Sequence, residues 1–272
     1  MIRADRFLNV PLALLPRETE KILRALEMRA EPPTPQGLVI ESEDAAYRPY
    51  DLVDGVAIVP INGILVHGET FFSSWFGETG YDRIRAAFDL ALNDAEAKAI
   101  ALHVNSPGGE VAGCFDLAER IFQARDVKPI CAILDESAYS AAYALACAAE
   151  TVIVPRTGGT GSIGVVAMHM DITKALDEFG IKVTTFQYGA RKTDSYPTTP
   201  MNDEARSRFQ AEIDTLGEMF VDLVARNRQL SAEAVRNTEA ACFLGDAGGV
   251  AGLADAVMSP QEAFAALLDE IA

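Results

Sequence analysis

Apolar residues fall along this chain in short blocks whose spacing switches between the period of a strand and that of a helix. Near-continuous apolar runs at GVAIVPINGILV (55–66), AKAIALHVN (97–105), KPICAIL (128–134) and ETVIVP (150–155) read as strands, and GSIGVVAMH (161–169) and IKVTTFQYG (181–189) follow the same pattern. Between them lie segments with helical spacing: YDRIRAAFDLALND (81–94), the 110–126 stretch with Val111, Phe115, Ala118 and Phe122 near one face, YSAAYALACAA (139–149), and DITKALDEFG stopped by Gly180. A long helix is expected from Met201 to Leu230. SAEAVRNTEA (231–240), GDAGGVAGLADAV (245–257) and a last helix from Ser259 close the chain. This βα alternation predicts an α/β fold with a mainly parallel sheet covered by helices. Sites in such folds lie beyond the carboxyl ends of the strands.

Residues 1–50 break the pattern. RETEKILRALEMRAE (17–31) reads as a helix with Ile22, Leu23 and Leu26 together, and EPPTPQG (31–37) and ESED (41–44) read as linker. The expected organisation is an N-terminal arm and linker over 1–50 and one domain with C-terminal helices over 51–272. Composition narrows the partners. Forty acidic against 23 basic residues give a net charge of −17, a poor match for nucleic acid or an anionic membrane. Neither a secretory signal nor a spanning segment is read, and Cys114, Cys131, Cys147 and Cys242 form no CxxC pair or Cys/His cluster. Buried free thiols in a cytoplasmic protein without metal or organic cofactor are therefore expected.

Two turns carry candidate chemistry. In NSPGG (105–109), Pro107 has no N–H, whereas Gly108 and Gly109 can offer bare amides at the start of the 110–126 helix, where an oxyanion could be held. A tight strand-to-helix turn requiring glycine explains the same residues. Ser140 lies among small residues before an apparent helix, with the Ala141 amide available as a second donor. It reads as a nucleophile or as a cap, with Ser137 as local competitor. A serine nucleophile needs a base. His103 sits in a buried strand pattern and reads as a core histidine, His67 is in a loop, and His169 ends a strand. Lys192, in YGARKTDSYPTTP (188–200), is the other option. A lysine acts as base where desolvation or a nearby cation disfavours its charge, so Arg191 would help and Asp194 would oppose. Residue chemistry alone leaves His169 and Lys192 both open. The run GGTGSIGVV (158–166), including Gly161, Ser162, Ile163 and Gly164, could let an extended peptide pair as an added strand; it lacks the Gly-Lys-Ser/Thr ending of a phosphate loop.

In this order and spacing, NSPGGEVAG, SAYSAAYALACAAE, TGSIGVV and YGARKTD resemble the signal peptide peptidase A family of serine–lysine peptidases. The resemblance runs over about residues 50 to 258. TGYDRI (79–84) and the GEVAGCFDLAERI helix bring it nearer to the phage capsid assembly, or head maturation, proteases of that family. It implies a Clp protease/crotonase-like spiral of ββα units, Ser140 as nucleophile, Lys192 as base, and Gly108, Gly109 and Ala141 as oxyanion donors. It further implies peptide substrates lying extended beside Gly161–Gly164, capsid or scaffold proteins among them, and a homo-oligomeric ring. Ala141-Ala142 stand where the family often has glycines. A C-terminal scaffold segment, which such proteases can carry, is expected to come from elsewhere. Aromatic residues Phe71, Trp75 and Phe76 are candidates for pocket walls or subunit contacts.

Overall fold

The computed structural model describes residues 10–15, 48–68 and 77–272. The expected helix at 17–31, the linker at 31–44 and Phe71, Trp75 and Phe76 lie outside the described residues. Strand β1 (Leu12–Leu14) comes first, followed by β2 (Asp51–Val53), β3 (Val56–Asn62), β4 (Ile64–Val66), β5 (Glu78–Gly80) and helix α1 (Tyr81–Asn93). The apolar run 55–66 is thus two strands. Gly63, at φ 67°, turns the chain between them, and a Cβ there would strike the Gly77 carbonyl. The unit repeats with β6 (Ala99–Ser106), β7 (Gly108–Glu110) and α2 (Cys114–Gln123), and the chain re-enters the main sheet at β8 (Ile130–Ala138) before α3 (Ala141–Ala146).

Each repeat places a long strand in one sheet and, in the first two, a short one in a second sheet. The main sheet is parallel along β3, β6, β8 and β9 (Thr151–Val154), with β2 antiparallel on the edge. Its strands are apolar on both faces because helices cover both. One side packs Ile84 and Phe88 of α1 and Leu117 and Ile121 of α2 into the larger core. The second sheet has the order β1-β7-β4-β5. This is the α/β, mainly parallel architecture of ββα units expected from the sequence.

The rest of the chain adds β10 (Gly159–Gly161), α4 (Thr173–Glu178), α5 (Asp203–Arg228), α6 (Ala232–Arg236), β11 (Cys242–Leu244), α7 (Asp246–Val250), β12 (Ala256–Val257) and α8 (Pro260–Ile271). Helix α8 starts at a capping box between Ser259 and Glu262, and its Ala263 and Leu267 cover the other sheet face at Val56, Ala99, Ala101 and Ile133. Arg228, at the end of α5, donates to both carboxylate oxygens of Asp255 at 2.8 and 2.7 Å; Asp255 also accepts the Val152 amide of β9 at 2.7 Å. Two charges and a sheet amide thereby tie the C-terminal segment to the main sheet.

Several local expectations are corrected. The 110–126 helix begins only at Cys114, so Gly108 and Gly109 lie in a strand and gain nothing from a helix dipole. Its buried face is Cys114, Leu117, Ala118 and Ile121; Phe115 turns toward Phe220 of α5, 5.5 Å between ring centroids, and Phe122 lies under the guanidinium groups of Arg125 and Arg226. Of GSIGVVAMH, only Gly161 belongs to a strand, with a lone bridge at Val166; IKVTTFQYG forms none. His103 is half-buried rather than core, its Nε2 3.8 Å from Asp135.

Cys242 is exposed, whereas Cys114, Cys131 and Cys147 are buried and burial pushes each of those thiols up to about 12. Since the thiolate is the reactive form, a maleimide should label one thiol per native chain, at Cys242, and all the cysteines after denaturation. Rapid native labelling of a second cysteine, read by mass spectrometry, would contradict this packing.

Candidate active site

Strand β8 ends at Ala138, and two residues later Ser140 stands at the N-cap of α3 with φ 55° and ψ −121°, a conformation that non-glycine residues rarely hold. Its neighbours impose it. The Ser140 amide donates to the Gly161 carbonyl at 2.8 Å and the Tyr139 amide to the Ser106 carbonyl at 3.2 Å. Every residue of α3 is buried, which explains the small side chains of AAYALA. Arg125 closes the far end by donating to the carbonyls of Cys147, Ala148 and Ala149, where a cation also complements the helix dipole. Ser140 is 1% exposed, and its Oγ has no hydrogen-bond partner among the described residues. A buried hydroxyl left unpaired costs about 1–3 kcal/mol, so the fold sustains a cost at this atom.

The SPGG turn lies directly against it. Ser106 Oγ donates to the Gly63 carbonyl at 2.6 Å and accepts the Gly108 amide at 3.2 Å. Gly108 stands at φ 102°; a Cβ there would strike the Ala13 carbonyl oxygen and come within 3.0 Å of both Ser140 Cβ and the Tyr139 carbonyl. Gly108→Ala is therefore expected to lower stability by about 1–3 kcal/mol through backbone strain. Any activity at Ser140 should fall at least tenfold, because the new methyl group intrudes on that side chain. Thermal melting and acylation of Ser140 would measure the two effects. Of the two glycine amides expected as oxyanion donors, Gly108's is turned to Ser106, and Gly109 lies in β7 between β4 and β1. Ala141 is the first residue of α3, where backbone amides have no partner within the helix.

Residues 10–15 lie across this turn. Strand β1 pairs antiparallel with β7, setting Ala13 opposite Gly109 and Leu14 opposite Gly108. On its other side Leu12 exchanges both backbone hydrogen bonds with Val166, at 2.7 and 2.8 Å. Gly161, Ser162 and Ile163 are buried behind Ser140: the Gly161 carbonyl anchors the Ser140 amide, and the Ser162 amide donates to the Ala241 carbonyl at 2.9 Å. Gly164 is half-buried, with the Ala240 methyl group closest to where its Cβ would stand.

Neither candidate base is bonded to Ser140 within the chain, since Oγ has no partner among the described residues. Lys192 belongs to the stretch 180–192, exposed at every position, with Phe186 and Tyr188 93% and 101% exposed. Asp194, the acid expected to oppose it, is instead engaged by Arg208 at 2.5 and 3.1 Å. His169 borders a cavity with Pro11, Met168, Met201, Arg206 and Phe209. His67 Nδ1 lies 3.2 Å from the Ala112 carbonyl, and its amide donates to Glu110. Sequence reasoning missed Ser106 and Leu12–Leu14. The first was hidden inside a turn motif, and the second gives no signal without knowledge of what it pairs with.

Residues 123–271 match the peptidase family S49 model. The chain belongs to peptidase family S49. The match spans Ser140, Lys192 and the C-terminal helices. Among characterised relatives, the head-tail preconnector protein GP5 of Enterobacteria phage P21 is 37% identical over 81% of this chain and 44% of its own length. The capsid assembly protease C of Escherichia phage lambda is 35% identical over 82% of this chain and 51% of its own. Protease 4 of Haemophilus influenzae is 26% identical over 79% of this chain and 34% of its own. This S49 chain thus spans about half the length of the phage relatives it matches. A solved mutant of ClpP1 from Listeria monocytogenes has a TM-score of 0.45 at 12% identity, covering 76% of this chain and 93% of the other. Among the described residues no helix is long and apolar enough to cross a membrane.

Proposed function

We propose that this S49 chain is a serine endopeptidase of a phage or prophage, a capsid assembly protease that hydrolyses peptide bonds with Ser140 as nucleophile and Lys192 as base. The observation that carries the reading is Ser140: a strained, buried serine with an unpaired hydroxyl, set against the SPGG turn. A neutral lysine takes the Ser140 proton as Oγ attacks the substrate carbonyl, the amides of Gly109 and Ala141 hold the oxyanion, and the lysinium then protonates the leaving amine. Water repeats the sequence to release the acyl group. The names of the two phage relatives support capsid or scaffold polypeptides as substrates.

The serine–lysine resemblance supports Lys192 as the base. Its position on a fully exposed stretch bearing Phe186 and Tyr188 favours a pair completed when copies of the chain assemble, as a homo-oligomeric ring, in the cytoplasm. Incubation with a fluorophosphonate followed by peptide mass mapping tests the reading. The adduct is expected on Ser140 alone, together with cleavage of an unfolded protein that His169→Ala preserves. A fully assembled protein that neither forms the adduct nor cleaves would sink it; loss of activity in His169→Ala with retention in Lys192→Ala would move the base to the histidine.

A further inference from the structure

Strand β1 occupies the place that an extended peptide would need in order to be cut. The alternation of a strand fixes its orientation. Leu12 directs both its N–H and C=O to Val166, so the carbonyl of Pro11 and the N–H and C=O groups of Ala13 and Leu15 turn the other way, toward β7. Two bonds report that side directly: the Val111 amide donates to Pro11 at 3.2 Å, and the Leu15 amide to Pro107 at 2.9 Å. Between them the Ala13 carbonyl oxygen lies against Gly108; it and Ser140 Cβ both stand within 3.0 Å of the point where a Cβ on Gly108 would be, and Gly109 is the register partner of Ala13. The side chains alternate to match. Leu12 and Leu14 pack with Ile64, Val66 and Met168, whereas Ala13 enters the main core.

We propose that residues 10–15 are the enzyme's built-in first substrate, bound across Ser140 and cut between Ala13 and Leu14. The proposal rests on the peptidase reading above and adds a substrate class. The track takes an extended segment with a small residue at the attacked carbonyl and leucine-like residues on both sides. Ser140 Oγ bonds to the Ala13 carbonyl carbon and its proton passes to the lysine base. The Ala13–Leu14 C–N bond then breaks, and the Leu14 nitrogen takes that proton. Water hydrolyses the Ala13 ester, freeing Ser140 and leaving a carboxylate on Ala13 and a new amino terminus at Leu14. Until then, a segment tethered to the same chain competes with any added peptide at an effective concentration on the order of millimolar, so the site is masked.

The test follows the full chain by intact mass and N-terminal sequencing, with fluorophosphonate labelling in parallel. Wild type is expected to lose residues 1–13 and begin at Leu14, and Ser140→Ala to keep Met1. Leu12 is 0% exposed, so Leu12→Asp should expel the strand and make Ser140 at least tenfold faster to label than in uncut wild type. Wild type that labels at once and cleaves added protein while retaining Met1 overturns the proposal; so does a cut at any other bond in 10–15. A second variant needs no catalysis. In a Ser140→Ala, Cys242→Ser chain, Leu12→Cys with Val166→Cys should close into a disulfide under mild oxidation, because hydrogen-bonded antiparallel partners lie about 5.5 Å apart at Cα. Failure to close removes the segment from the track. If it closes, yet neither wild type nor Leu12→Asp is acylated at Ser140, the peptidase reading is what fails, and the cleavage step with it.

Discussion

Replacing Ser140 by alanine is expected to abolish cleavage while leaving the protein as stable as before, or more so. Removing a serine nucleophile whose partners act as a unit costs on the order of 10⁴–10⁶ in kcat. Stability should move the other way, because the Oγ that disappears is buried and unpaired. Relief of even about 1 kcal/mol of that desolvation cost corresponds to roughly 2–4 °C in Tm for a chain near this size. Ser140→Gly extends the argument. It is equally inactive but also relieves the backbone at φ 55°, which for a side-chain-bearing residue costs about 1–3 kcal/mol. The expected order of melting temperature is glycine above alanine, and alanine at or above wild type. The order comes from scanning calorimetry and the activity from cleavage of an unfolded protein. A wild type that outlasts both variants would show that the Oγ is satisfied in the working assembly.

The second large effect concerns Lys192. Lys192→Met is expected to reduce cleavage by at least about 10³-fold, since general base catalysis and nucleophile activation are lost together. Lys192→Arg should fare no better, because a guanidinium stays protonated and cannot accept the serine proton. The more telling experiment mixes two inactive proteins. Within one chain no hydrogen bond joins Ser140 and Lys192, and the lysine stands on an exposed stretch. If the pair forms between copies, Ser140→Ala and Lys192→Met chains reassembled at equal amounts should recover up to about one quarter of wild-type activity, the share of junctions at which a wild-type serine meets a wild-type lysine under random mixing. No recovery, with mixed assembly verified by mass, would mean that the lysine serves its own chain after a rearrangement.

Much of the main sheet was legible because its signals are local. AKAIALHVN and KPICAIL are apolar on both faces and could only be interior strands; they became β6 and β8. Gly180 ends α4 at positive φ, and Ser259 with Glu262 starts α8. YSAAYALACAA was legible as a helix, and α3 proves buried at every position.

The misread segments are those whose state depends on a distant partner. Ile181, Val183 and Phe186 lie in a strand-like run, but a strand exists only where another backbone accepts its ladder, and among the described residues none does. Gly108–Glu110 looked like the mouth of a helix and is a strand because Leu65 of β4 and Ala13 of β1, both far back along the chain, close on either side of Gly109. The sequence by itself determined the class of fold, the strands of the main sheet and the residues worth suspecting at the site, since those follow from period, caps and side-chain chemistry. Tertiary structure alone decided the backbone strain at Ser140, the isolation of its hydroxyl and the pairing of Leu12–Leu14 with the strand of the SPGG turn beside it. Each of these depends on which non-local backbone groups meet, and no local pattern encodes that.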